Sequence, residues 1–268
     1  TPMSEMLRFR PRVLLVEDNE INQEVMVELL SQLGYLVEVA ADGAQALDSL
    51  RLKSFSAILM DCQMPVMDGY AATREIRNTL GNTQVPIIAV TAHAIVGERE
   101  KALSAGMDDY LTKPVTRVSV RNILEKWIRS APPSHPRIST ASSDPKGAPA
   151  RTVEDERPAL DPSVVRSVKV MQLFLKHVPP QLTGIEEAVK LSDEQLVKER
   201  AHKLKGGSHA VGALRMALLC ERLECLPDDS FKLVEHLLAE YAEVEAQMRA
   251  ALEQRAPAPE LMSGGVQV

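Results

Sequence analysis

Five residues able to do chemistry stand directly past four short apolar runs. Glu17-Asp18 follow RVLLV (12–16), Asp61 follows SAILM (56–60), Thr91 follows PIIAV (86–90), and Lys113 lies just past DYL (109–111). If the runs are strands of an open α/β sheet, these residues meet at its carboxyl edge, where ligands collect. Three carboxylates packed together repel one another unless a cation sits among them. An all-oxygen set suits Mg²⁺, which uses a few carboxylates and keeps other positions for water and phosphate oxygens. A lysine beside them adds a point charge for a phosphoryl oxygen. Any one of these acids alone would ordinarily be a helix cap or a solvated residue. Asp18 in particular could cap a helix starting near Asn19. The combination carries the weight.

A second candidate is His202, in ERAHKLKGGSHAVGA (199–213). At helical spacing Lys205 and Gly206 fall on its face. Two glycines inside a helix cost about 1 kcal/mol each relative to alanine, which implies that something approaches closely there. The bland alternative is a surface histidine with Gly206-Gly207 as a helix stop. Lys203 and Lys205 make the surroundings of the imidazole basic. His135 falls in a proline-rich stretch and His177 at a helix end. His209 and His236 read as packed or surface histidines, and His202 has no evident triad partner.

The elements that must position these residues divide the chain in two. Residues 11–130 alternate apolar runs, including YLVEVA (35–40), with amphipathic stretches near 22–33, 43–53, 70–79, 97–105 and 116–129. This predicts a doubly wound α/β domain with five parallel strands. Residues 159–254 show only helical patterning, over 164–178, 185–191, 193–209, 214–226 and 230–252, with Pro179-Pro180 and Pro227 as punctuation. Short connections predict an all-α four-helix bundle. Between them, residues 131–158 hold six prolines and no aromatic residue. They read as a flexible Pro/Ser-rich linker, and 255–268 as a disordered tail.

Composition excludes other classes. The chain has 268 residues, a net charge of −6 and 3% aromatic residues. Each block is mildly acidic and the linker neutral, which argues against a nucleic-acid footprint and against base-stacking platforms. No apolar run is long enough to span a bilayer and no signal peptide is visible. The segment is therefore expected in the cytoplasm. Cys62, Cys220 and Cys225 read as buried thiols in a reducing compartment. The chain opens with Thr1 rather than Met, as a processed product or a piece of something longer would.

On LLVEDN (14–19), LMDCQMPVMDG (59–69), VTA (90–92) and YLTKP (110–114), the first block resembles a response-regulator receiver domain, of flavodoxin-like fold. The resemblance implies that Asp61 is the phosphoacceptor. Asp18 would ligate Mg²⁺ directly (Mn²⁺ substituting), Glu17 through water, and the Gln63 backbone carbonyl would complete the site. Thr91 and Lys113 would contact the phosphoryl group. The Lys113–Pro114 bond would be cis, Thr91 and Tyr110 would form the switch, and Gly69 would serve a tight turn. The second block resembles a histidine-containing phosphotransfer domain. His202 would be its phosphohistidine, with Lys205, Gly206 and Ser208 on the transfer face.

Receiver followed by phosphotransfer domain resembles the C-terminal part of a bacterial hybrid sensor histidine kinase. The implied function is a phosphorelay segment without its own ATP-binding core. It would pass a phosphoryl group between Asp61 and His202 and on to a separate response regulator. Its partners would be a kinase core and that regulator, and its parent would be anchored in the inner membrane. A phosphorylation-gated scaffold and a Mg²⁺-dependent aspartyl-phosphate phosphohydrolase are the alternatives. The latter normally carries a second acid two residues after its nucleophile, where this chain has Gln63. The 28-residue linker could extend to roughly 90 Å, so transfer within one chain or between chains is open.

Overall fold

The computed structural model describes residues 10–78, 84–91, 96–113, 115–129, 159–161, 164, 167–226 and 229–255. The linker and residues 256–268 of the expected tail fall outside this set, as do Ala92, Pro114 and its peptide bond, and Pro227; Arg255, expected in the tail, ends a helix instead. In the first block, β1 (Arg12–Val16), β2 (Leu36–Ala40), β3 (Ala57–Asp61), β4 (Ile87–Thr91) and β5 (Asp109–Thr112) form one parallel sheet in the order β2-β1-β3-β4-β5. The apolar runs of β3 and β4 are buried throughout, as strands covered on both faces must be. Edge strand β2 instead leaves Leu36 and Val39 exposed and Glu38 half-buried, its carboxylate meeting Lys53 at 2.8 Å. Because all strands run the same way, β1, β3 and β4 deliver Glu17, Asp61 and Thr91 to one edge.

Five helices cover the sheet: α1 (Glu20–Gln32), α2 (Gly43–Leu52), α3 (Gly69–Asn78), α4 (Val96–Ala105) and α5 (Arg117–Arg129). The cap of α1 is Asn19, not Asp18. Its Oδ1 accepts from the backbone N–H groups of Ile21 and Asn22, which leaves the Asp18 carboxylate to the site. Gly69 has its own reason. A side chain there would collide with the Asp61 carbonyl, so close approach demands glycine rather than a left-handed turn.

The second block is helical as expected: α6 (Val168–Lys190), α7 (Glu194–Ala210), α8 (Leu214–Glu224) and α9 (Ser230–Arg255). One boundary differs. Pro179-Pro180 do not end a helix; α6 runs through them. An interior proline costs about 3 kcal/mol. The offset is burial on both sides of the pair, with Val170, Met171, Phe174 and Val178 before it and Leu182, Ile185, Ala188 and Val189 after it. This merges two expected helices and leaves four long ones. Cys62 and Cys220 are buried and in no disulfide, but Cys225, which follows the last residue of α8, is exposed.

Candidate functional site

Glu17, Asp18 and Asp61 each bring a carboxylate oxygen within 4.8 Å of the others. Lys113 bridges two of them, its Nζ donating to Glu17 Oε2 at 2.8 Å and to Asp61 Oδ2 at 2.6 Å. Asp61 Oδ1 accepts from the backbone N–H of Gln63 at 3.1 Å. Asn22 Nδ2 donates to Glu17 Oε1 at 2.8 Å. Burial pushes the Glu17 carboxyl up to about 8, because Lys113 offsets the lost water only in part and Asp61 adds repulsion. Burial also raises Asp18, against the pull of Lys203. For Lys113, burial would lower the ammonium pKa, but Glu17 and Asp61 outweigh it and raise it. The cluster is thus short of positive charge. Its chemistry, three buried or half-buried carboxylates with one ammonium, fits a hard divalent cation. Thr91 is buried beside it. Tyr110 stands outward at the sheet edge, with the Arg99 guanidinium 5.9 Å from its ring centroid.

The helix bundle sits on this edge through α1. That helix has two apolar faces: Met26 and Leu30 pack on the sheet, while Ile21 joins the bundle core. Asn19 Nδ2 donates to the Lys203 carbonyl at 3.0 Å, Lys203 Nζ lies 3.7 Å from Asp18, and Lys169 pairs with Glu24 at 2.6 Å. The two glycines of α7 lie against this helix. A Cβ on Gly206 would come within 3.2 Å of Asn22 Nδ2, and one on Gly207 within 3.2 Å of Ile21 Cδ1. They therefore sit inside the helix at the point of closest approach and are not a helix stop.

Between the domains lies a cavity of about 20 Å³, room for one water-sized group. The sheet edge lines it with Asp61, Gln63, Thr91 and Lys113; α7 lines it with His202, Lys205, Gly206 and His209. The phosphoacceptor candidate and the histidine candidate thus share one small chamber. Ser208 does not reach it. Its hydroxyl is buried and donates to the Leu204 carbonyl at 2.8 Å, inside the bundle.

Two residues were not found from the sequence. Glu224 Oε1 lies 3.0 Å from His202 Nδ1, and its Oε2 accepts from Lys205 Nζ at 2.6 Å. Burial would raise Glu224, but the hydrogen bonds from His202 and Lys205 outweigh it and hold the carboxyl below its usual range. Its lone position 22 residues on, at the end of another helix, carries no local signal. The same pair changes the reading of Lys205: it is buried and bound to Glu224, so the basic character expected around His202 rests mainly on Lys203. His209, expected as a packed or surface histidine, lines the chamber instead.

Residues 13–125 match the family model of the response regulator receiver domain, and residues 169–256 that of the Hpt domain. The chain is similar to the sensor histidine kinase GacS of Pseudomonas protegens, 31% identical over 226 residues. That match covers 81% of this chain and 24% of that protein. It is also similar to the signal transduction histidine-protein kinase BarA of Escherichia coli, 30% identical over 227 residues, covering 83% and 24%. The chain spans about a quarter of the length of these relatives. Among solved structures, it is similar to the receiver domain of a sensor histidine kinase from Pseudomonas aeruginosa, which has a magnesium ion coordinated in its active site cleft. The two are 52% identical with a TM-score of 0.43, over 46% of this chain and all of that one.

Proposed function

We propose that this chain, which belongs to the response-regulator receiver family over residues 13–125 and to the Hpt family over residues 169–256, passes a phosphoryl group from Asp61 to His202 within one chain. From His202 the group goes on to a separate response regulator. The observation that carries the proposal is the shared chamber, which brings Asp61 and His202 together across an interface built by α1 and α7.

Asp18, Glu17, Asp61 and the Gln63 carbonyl would hold Mg²⁺, or Mn²⁺ in its place. Bound there, the ion neutralises charge on the carboxylates and the phosphoryl oxygens. Lys113, held 2.6 Å from Asp61, faces the same oxygens as a fixed positive charge. His202 is the nucleophile of the second step. With Glu224 ionised, the ring keeps its proton on Nδ1, hydrogen-bonded to the carboxylate, and Nε2 keeps its lone pair. The Nε2–P bond forms as the P–O bond to Asp61 breaks. That bonding pair returns to Asp61 as carboxylate, and the ring becomes cationic. Glu224 faces the charge as it develops, so no separate base is needed. The Glu224 pKa lies below the ordinary 4.5. Stability from this contact is therefore full above about pH 4.5 and is lost only as pH falls through the lower folded value. Glu224 therefore stays ionised, and able to accept from Nδ1, throughout the neutral range.

Replacing Glu224 by Ala is expected to slow transfer from Asp61 to His202 by about 10²-fold, measured as phosphohistidine formed after a pulse of phospho-Asp61. A second expectation concerns the metal. EDTA should abolish labelling of Asp61 by acetyl phosphate and added Mg²⁺ restore it. Labelling that persists in EDTA would contradict the carboxylate site. Thr91 and Tyr110 form the output switch, Tyr110 moving inward as Thr91 is drawn to the phosphoryl group. This segment would lie in the cytoplasm, as part of a hybrid sensor histidine kinase anchored in the inner membrane. The parent's kinase core supplies Asp61. Among the described residues, no helix is long and apolar enough to cross a membrane.

A further inference from the structure

His209 has no part in the mechanism above, yet it lines the chamber with Asp61, Thr91, Lys113 and His202. It sits seven residues after His202 on α7, about two turns along. Its Nδ1 is buried and finds no hydrogen-bond partner among the described residues. A buried imidazole nitrogen left unpaired is costly and calls for a reason. We propose that His209 donates an imidazole N–H to a phosphoryl oxygen while the group crosses from Asp61 to His202, a proposal that rests on the transfer reading above.

Charge agrees with this role. Burial, and then Lys205, lower the His209 pKa; Lys113 adds to this, while Glu221 and Glu224 oppose it. The ring is therefore neutral at pH 7, with one N–H to give and no positive charge to desolvate. Lys113 approaches the phosphoryl group from the receiver side, held there by Glu17 and Asp61. On the bundle side Lys205 also lines the chamber, but its buried ammonium is held at 2.6 Å by Glu224. His209 is the bundle-side group on the chamber whose buried nitrogen has no partner among the described residues. Balance is unaffected: the N–P bond forms at His202, the P–O bond breaks at Asp61, and His209 keeps its proton throughout.

The test uses the full chain with Mg²⁺, labelled by a pulse of radioactive acetyl phosphate. Transfer is followed as the conversion of phosphoaspartate to phosphohistidine. Replacing His209 by Leu, which fills the site without an N–H, should slow conversion by about 10- to 100-fold, the loss typical of one preorganised donor. His209→Gln, which keeps an N–H donor, should recover most of it. Thermal unfolding of each variant reports the fold separately. Leu at wild-type rate overturns the proposal, and so does equal slowing by Leu and Gln with equal loss of thermal stability, which marks a packing role. A wild-type chain that never forms phosphohistidine overturns the transfer reading itself and His209's role with it.

Discussion

Replacing Asp61 by Asn is expected to leave the chain without any label from acetyl phosphate. Asp61 is the acid of the cluster that faces both Lys113 and the chamber. Asn keeps its shape but has no nucleophilic oxygen, so the loss should be complete rather than partial. The companion variant, His202→Gln, should take up label on Asp61 and hold it there. Nothing in the receiver half of the site depends on the histidine, since Glu17, Asp18 and Lys113 come from the ends of β1 and β5. Phosphate would then leave Asp61 only by hydrolysis. The pair of variants orders the two steps. If His202→Gln also removed label from Asp61, transfer would start at the histidine.

A second large effect is expected at Gly206. Its Cβ would stand 3.2 Å from Asn22 Nδ2, the end of a side chain that can shift a few tenths of an ångström. Alanine should therefore be tolerated in transfer. It should also stabilise α7 by about 1 kcal/mol, because glycine is a poor helix former. Leucine has no such escape. Its further carbons would meet α1 and force the two domains apart, at the roughly 1–3 kcal/mol typical of overpacking. Transfer should fall roughly 10- to 100-fold, while thermal unfolding shows an intact bundle. Alanine should thus raise the melting temperature with transfer unchanged, and leucine should lower transfer with the bundle still folded. A Leu variant with wild-type transfer would mean that the α1–α7 contact is not the productive one. The contact also has a cost for output. While His202 faces its own Asp61, a separate regulator cannot reach it, so the domains must part before the second transfer.

Much of this was legible in the sequence for a physical reason. A parallel sheet puts all its strand ends on one edge, so Glu17, Asp61 and Thr91 could be placed together from the runs before them. The helix stripe that includes Met26 and Leu30 was equally plain. Three things were not. Whether Asp18 or Asn19 caps α1 depends on backbone angles that neighbouring polar residues do not specify, and Asn19 takes the role. Pro179-Pro180 read locally as a break, yet apolar burial on both sides carries α6 through. Glu224 reaches His202 only because α8 folds back along α7, a long-range contact with no mark in the string around either residue. Ser208 shows the reverse error. Motif position put it on the transfer face, but its helical position points inward, where its hydroxyl donates to the Leu204 carbonyl within the core. The paired glycines were read from their cost, and the structure supplies the reason: α1 rests on them.

Transfer within one chain is tested most directly by how its rate depends on concentration. Chains labelled on Asp61 would be diluted over about a hundredfold range, and the conversion of phosphoaspartate to phosphohistidine followed at each dilution. Transfer across the α1–α7 interface of one chain predicts a single first-order rate at every concentration. A rate that rises in proportion to concentration would show that His202 takes its phosphoryl group from another chain, and would contradict the account.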